Sequence, residues 1–233
     1  MKISIIIPVY NEEKTILNVL NELKHLVFSK LEKEVIVVDD GSTDRTKTIL
    51  EKNKNLFNKL ISFDLNKGKG AAVKAGLEIS SGDYVVFHDA DLEYEPRDLL
   101  KFEEIFIKFD ADGIIGSRFN YDKYTRSHSI LNKIANFILT FFFNSLFNTT
   151  FTDVYSCYFA FKKKLLDFKL LKSNGFEQHA EILTRVIKNG KKFYEVPINY
   201  NGRNYSEGKK IKYYHFFTVI IQIFIGRFRW RID

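Results

Sequence analysis

"VVFHDADLEYEP", residues 85–96, sets two aspartates one residue apart behind a short apolar run. Val85, Val86 and Phe87 read as a strand entering a core, whereas Asp89 and Asp91 need water or a partner. Either the strand ends in a solvated turn, or its carboxylates are held at the sheet edge to grip something. The same form recurs in "ISIIIPVY" (3–10), "EVIVVDD" (34–40), "KLISFD" (59–64) and "ADGIIGS" (111–117). Helical patterns lie between them. One begins near Asn11, with Glu12 and Glu13 in its first turn. Another begins near Ser42 or Thr43 with Asp44 behind, a third follows Gly70 and a fourth follows Pro96. Apolar strands alternating with helices predict an α/β fold, a mostly parallel sheet covered on both faces. Such sheets bind ligands beyond the carboxyl ends of their strands. Three strands close in polar residues, "VYNEE", "DDGSTD" and "HDAD", and these ends are expected to share one crevice.

The chain has 233 residues, of which 45% are hydrophobic, enough for one good-sized core or one domain with an appendage. Charged residues of both signs make up 28%, which excludes a disordered composition. Cys157 is the single cysteine, so there is no internal disulfide, and a reducing compartment is expected. Met1-Lys2 leads straight into the first strand without the pattern of a secretory signal. The formal net charge of +7 invites an anionic partner: nucleic acid, a phosphorylated substrate or an acidic membrane surface.

A dinucleotide fingerprint is missing, because "PVYNEE" follows the first strand where a glycine-rich turn would stand. "GKGAAVKAG" (68–76) has the glycines but follows the third strand. The missing turn also argues against a nucleotidylyltransferase. Two carboxylates at i and i+2 can instead hold a divalent cation that bridges diphosphate oxygens. Alone, the pair Asp89/Asp91 would be read as a solvated turn. Beside "VVDDGSTD" after the second strand, the metal reading is the better one.

"IIIPVYNEE", "VVDDGSTD", "NKGKGAAVKAG", "DADLEYEP" and "GSRF", in this order and spacing, resemble family 2 glycosyltransferases of the GT-A fold. "TDVYSCYFAFKKKLL" and "YEVPINYNGRNYSEGKKIK" are similar to the polyprenyl-phosphate sugar synthase branch, so the likeness covers nearly the whole chain. The resemblance implies a nucleotide pocket from Pro8, Tyr10, Glu12 and Asp39 or Asp40, with Lys69 near the donor. It implies that Asp89 and Asp91 hold Mg²⁺ or Mn²⁺, with Glu93 completing the metal shell. Arg118 would face the acceptor or donor phosphate. Arg203, Lys209 and Lys210 could close over the diphosphate, although the two lysines also fit a solvated basic face. Asp153 either orients a backbone turn or acts as a base. Where related sequences often carry a basic residue, this chain has Phe159, and His179 replaces an acid or amide.

Two segments speak to a membrane. In "ILNKIANFILTFFFNSLF" (130–147), Asn132, Asn136, Thr140 and Asn144 form a thin polar stripe on an apolar helix. In "IKYYHFFTVIIQIFIGRFR" (211–229), His215, Thr218, Gln222, Gly226 and Arg229 do the same. Such helices lie half-sunk in an interface or pack in a core, and neither reaches the ~20 apolar residues of a span. The expected organisation is a nucleotide-sugar half (1–120), an acceptor half of the same domain (121–205), and a basic loop with an interfacial helix (206–233). The expected activity is inverting, metal-dependent transfer from a UDP- or GDP-sugar to a lipid acceptor, foremost a polyprenyl phosphate. The enzyme would sit peripherally on the cytoplasmic membrane face. Its partners would be the donor, the lipid and an anionic membrane surface rather than nucleic acid, with room for a membrane protein or a second copy. A hydroxyl acceptor and a non-catalytic nucleotide-binding scaffold are the alternatives.

Overall fold

The computed structural model describes residues 1–119, 126, 130–203 and 215–228. Seven strands form one sheet in the order β3-β2-β1-β4-β6-β5-β7. They are β1 (Lys2–Val9), β2 (Glu32–Asp39), β3 (Lys59–Ser62), β4 (Tyr84–Phe87), β5 (Gly113–Ser117), β6 (Phe159–Lys162) and β7 (Phe193–Pro197). The helices are α1 (Ile16–His25), α2 (Thr46–Lys52), α3 (Lys69–Ile79), α4 (Leu99–Phe109), α5 (Ile130–Phe147), α6 (Gln178–Asn189) and α7 (His215–Phe228). All strands are parallel except β6, which runs antiparallel between β4 and β5. The expected mostly parallel sheet with helices on both faces is therefore present.

Alternation along β1 divides the core. Ile3, Ile5 and Ile7 pack toward α1 and α4, against Leu20, Leu23, Phe102 and Phe106. Ile6 faces the other side, with Val73 and Leu77 of α3, Leu183 and Val186 of α6, Leu139 of α5 and Val219 of α7. β1 lies between β2 and β4 and pairs with both, so the loops after all three strands emerge side by side.

Two helices begin later than their sequence patterns suggest. α1 starts at Ile16, because Asn11 adopts a left-handed φ of 51° and residues 12–15 form a turn. α2 starts at Thr46, because Ser42 and Thr43 bond across to Asn11 rather than capping a helix. Pro96 opens a single 3₁₀ turn, Pro96–Asp98, ahead of α4. Gly41 and Gly68 have φ of 71° and 96°, which only glycine adopts without strain. A Cβ would fall 2.5 Å from the Leu65 carbonyl carbon at Gly41, and 2.4 Å from the Asn174 oxygen at Gly68.

α5 has its amphipathicity reversed. Asn136 and Thr140 are buried, whereas Ile130, Leu131, Ile134, Phe137, Ile138 and Phe141 are 45–73% exposed. At 18 residues it is, among the described residues, the one helix long and apolar enough to cross a bilayer by length and composition, two short of the ~20 expected of a span. It packs against α7, which buries Val219, Ile223 and Gly226 and exposes Phe217, Ile221, Phe224 and Phe228. Gly226 lets α7 approach α6, since a Cβ there would meet Thr184 at 2.5 Å.

Candidate active site

The loops after β1 and β2 are laced together. The Asn11 N–H donates to Ser42 Oγ (3.0 Å), and Asn11 Oδ1 accepts from the Thr43 N–H (2.8 Å). The Glu12 N–H donates to Thr46 Oγ1 (2.9 Å), and Glu13 accepts from the Arg45 N–H (3.1 Å). Pro8 is buried in β1 opposite Val38, and Tyr10 is half-buried just beyond.

The adjacent aspartates closing β2 do different work. Asp40 accepts the Lys67 and Gly68 N–H groups, one on each oxygen (2.7 and 3.0 Å), and so fastens the loop before α3. Burial raises its carboxyl above the usual range. Asp39 takes the Ser42 N–H on Oδ1 (3.1 Å), while its buried Oδ2 has no partner. An unpaired buried oxygen is costly, which marks Asp39 as the member of the pair with capacity for a ligand N–H.

At the end of β4 the charges converge. Lys69, the first residue of α3, meets Asp89 at 2.6 Å. Arg203, beyond β7, bridges Glu12 (3.0 and 3.1 Å) and Asp91 (3.0 Å). Glu93 accepts from the Tyr200 hydroxyl and the Arg203 N–H, both at 2.7 Å. Burial, with Asp89 and Glu93 close by, pushes Asp91 up to about 7 against the pull of Arg203. His88, buried and paired to the Tyr158 hydroxyl (2.7 Å), is pushed by burial down to about 4 and is neutral at physiological pH.

The carboxylates of Glu12, Asp89, Asp91 and Glu93 outnumber the cations Lys69 and Arg203 by two, the charge of one divalent ion. That donor set fits Mg²⁺ or Mn²⁺, which bind through one or two carboxylates plus diphosphate oxygens and water. The expected trio Asp89, Asp91 and Glu93 is not assembled. Among the described residues no three ligating side chains converge, and each of the three carboxylates is engaged by a protein partner: Asp89 by Lys69, Asp91 by Arg203, and Glu93 by Tyr200 and Arg203. Lys209 and Lys210 lie outside the described residues.

Arg118, just past β5, is locked to Asp153. Its Nε and Nη2 reach the two carboxylate oxygens at 2.7 and 2.8 Å, and its backbone N–H adds a third bond at 3.0 Å. Asn136 of α5 gives a fourth at 2.9 Å. Asp153 is fully buried, and Arg118 holds its carboxyl below the usual range. With its lone pairs filled, Asp153 cannot take a proton from a substrate, so of its two expected roles the base is excluded and the orienting one remains. The guanidinium also lies 5.1 Å over the Tyr200 ring, and no bond to its Nη1 occurs among the described residues.

Sequence reading passes over several residues that build this site. Tyr94 and Tyr200 bridge the post-β4 and post-β7 segments with rings 5.1 Å apart, and Tyr94 packs on Tyr158 at 4.7 Å. Aromatics inside charged loop motifs were the available signal. His179 bonds the Val154 carbonyl at 3.1 Å and stands edge-on to Tyr155, as a helix-face residue does, and Phe159 is buried in β6.

Comparisons with known proteins agree with this geometry. Residues 4–168 match the model of "Glycosyl transferase family 2". The chain is 32% identical over 215 residues to the UDP-N-acetylglucosamine–dolichyl-phosphate N-acetylglucosaminyltransferase of Methanococcus voltae, covering 84% of each. It is 31% identical over 219 residues to the dolichol-phosphate mannosyltransferase of Pyrococcus furiosus, covering 90% of this chain and 59% of that one. Glucosyl-3-phosphoglycerate synthase from Mycobacterium tuberculosis, solved with Mg²⁺ and UDP, superimposes with a TM-score of 0.72 at 20% identity, covering 97% of this chain and 79% of that one. The match across most of the chain, joined to a carboxylate cluster at the strand ends of a GT-A sheet, leads to one conclusion: this chain belongs to glycosyl transferase family 2, on the polyprenyl-phosphate sugar synthase branch, and is a glycosyltransferase using a nucleotide sugar.

Proposed function

We propose that the enzyme transfers a sugar, with inversion, from a nucleotide diphosphate sugar to a polyprenyl phosphate at the cytoplasmic face of a membrane. The observation that carries this reading is the cluster of Glu12, Asp89, Asp91 and Glu93 around Lys69 and Arg203. Asp89 and Asp91 would hold Mg²⁺ or Mn²⁺, which supplies charge stabilisation to the departing diphosphate. Lys69 and Arg203 sit beside those carboxylates and can turn to the same oxygens. Asp39 would accept a base N–H at its unpaired Oδ2, with Pro8 and Tyr10 beside it.

An ionised phosphate acceptor needs no general base. A hydroxyl acceptor needs one, and the commitment of Asp153 to Arg118 and Asn136 speaks against that alternative. Arg118, anchored by Asp153, would offer Nη1 to the acceptor phosphate. The names of the dolichyl-phosphate relatives support the same acceptor class. The reversed amphipathicity of α5, with α7 beside it, supports membrane contact, because an apolar outer face on a polar-seamed helix suits lipid rather than water.

Asp91→Ala tests the metal reading. Transfer is expected to vanish, with UDP binding losing its dependence on Mg²⁺ or Mn²⁺ and the melting temperature holding or rising, since a buried like-charge contact goes. Full turnover in this variant, or in wild type with EDTA, would end the metal role.

A further inference from the structure

The polar stripe of α5 is a seam, and one of its residues reaches the acceptor side of the site. Asn144 donates to the Phe151 carbonyl (2.8 Å) and accepts from Thr149 Oγ1 (2.8 Å). Thr140 Oγ1 accepts the Val154 N–H at 3.4 Å. Asn136, 8% exposed, donates to Asp153 Oδ1, the oxygen that also takes Arg118 Nη2. The seam thus fastens an outwardly apolar helix to residues 149–154, and at Asn136 it ends on the carboxylate that aims Arg118.

We propose that Asn136 is a positioning residue: through Asp153 it sets the Arg118 guanidinium for the acceptor phosphate, so that the apolar helix α5 and the phosphate-reading arginine form one unit. This rests on the reading of Arg118 as the acceptor-phosphate contact. The physical reason is geometric. The backbone N–H and Nε of Arg118 hold Oδ2, whereas Oδ1 is shared by Nη2 and Asn136 alone. Without Asn136, the buried Oδ1 loses one of two donors and the carboxylate can rotate, carrying the guanidinium with it. Thr152 and Asp153 are held from behind by their N–H bonds to Glu195, so the backbone stays in place. The consequence falls on the side chains.

The test measures binding of geranylgeranyl phosphate and of geranylgeraniol in detergent, with UDP and Mn²⁺ present. Phosphate recognition is the ratio of the two affinities. Asn136→Ala is expected to lower that ratio about tenfold, with UDP affinity unchanged. Arg118→Ala should lower it at least as far, and the double variant no further. Asn144→Ala cuts the same seam away from Asp153. It should lower the melting temperature and leave the ratio alone, which separates positioning from simple attachment of the helix. Should Asn136→Ala fail to fold, Asn136→Leu removes the same donor at nearly the same volume, without adding charge, and is read the same way. A ratio unchanged in the Asn136 variant but lowered in Arg118→Ala overturns the proposal and leaves the phosphate contact standing. A ratio unchanged in Arg118→Ala overturns both.

Discussion

The double substitution Phe137→Asp/Phe141→Asp should release the protein from lipid without unfolding it. The two rings lie one turn apart on α5 and are 69% and 65% exposed, so neither contributes much to the core. Fully burying a phenylalanine side chain is worth up to about 3 kcal/mol, so about two-thirds of a ring gains up to about 2 kcal/mol on complete insertion. Interfacial insertion is partial, and about 1 kcal/mol per ring is a reasonable share. Each introduced aspartate adds a desolvation and charge cost of about 1 kcal/mol near an anionic surface. The sum is about 4 kcal/mol, or between two and three orders of magnitude in partition coefficient at about 1.4 kcal/mol per decade. Sedimentation with vesicles containing anionic lipid reads this directly, and circular dichroism with a melting curve confirms the fold. Sugar transfer to a vesicle-borne acceptor should fall with partitioning, whereas UDP binding should not change. If the folded variant still sediments like wild type, lipid does not cover this face, and the reasoning from reversed amphipathicity is wrong.

Two further outcomes follow from the nucleotide side. Asp39→Ala is expected to weaken UDP or GDP binding about tenfold or more by calorimetry with little loss of stability. Asp40→Ala should instead lower the melting temperature, because it frees the Lys67 and Gly68 N–H groups; the reverse pattern would exchange their roles. Asp91, raised to about 7, should make metal-dependent nucleotide binding strengthen as pH climbs toward 7 and level off above, weakening by up to about tenfold per unit on the acid side. The same raised value gives the metal-free fold a stabilising contribution that is full below the ordinary carboxyl range and lost as pH rises through 7. The metal-free melting temperature should therefore drift down over that window unless Mn²⁺ is added, and a pH-independent metal affinity between 5 and 8 would refute the assignment.

Much of this was legible in one dimension because strands and turns are local. The β-branched runs, their period, and the polar residues that close them place Glu12, Asp39, Asp40, Asp89 and Asp91 at strand ends, and parallel strands put those ends on one edge of the sheet. Charge patterning likewise marked 130–147 and 211–229 as apolar helices with thin polar seams. What sequence leaves undecided is which of two equivalent groups faces the cavity, since that depends on partners far along the chain. Asp39 and Asp40 differ only because Lys67 and Gly68 fold back onto the second of them. Glu93 is held by Tyr200 and Arg203, more than a hundred residues away, partners that no local pattern could show. Asp153 read as a turn anchor or a base, and only the convergence of Arg118 and Asn136 on its buried oxygens decided for the anchor. A helical pattern also cannot say which side of α5 meets protein. The seam of hydrogen bonds from Asn136, Thr140 and Asn144 to residues 149–154 turned three of the four stripe residues inward, leaving Asn132 exposed with the apolar face. Periodicity belongs to the chain, whereas the satisfaction of buried polar atoms is a property of the packed whole.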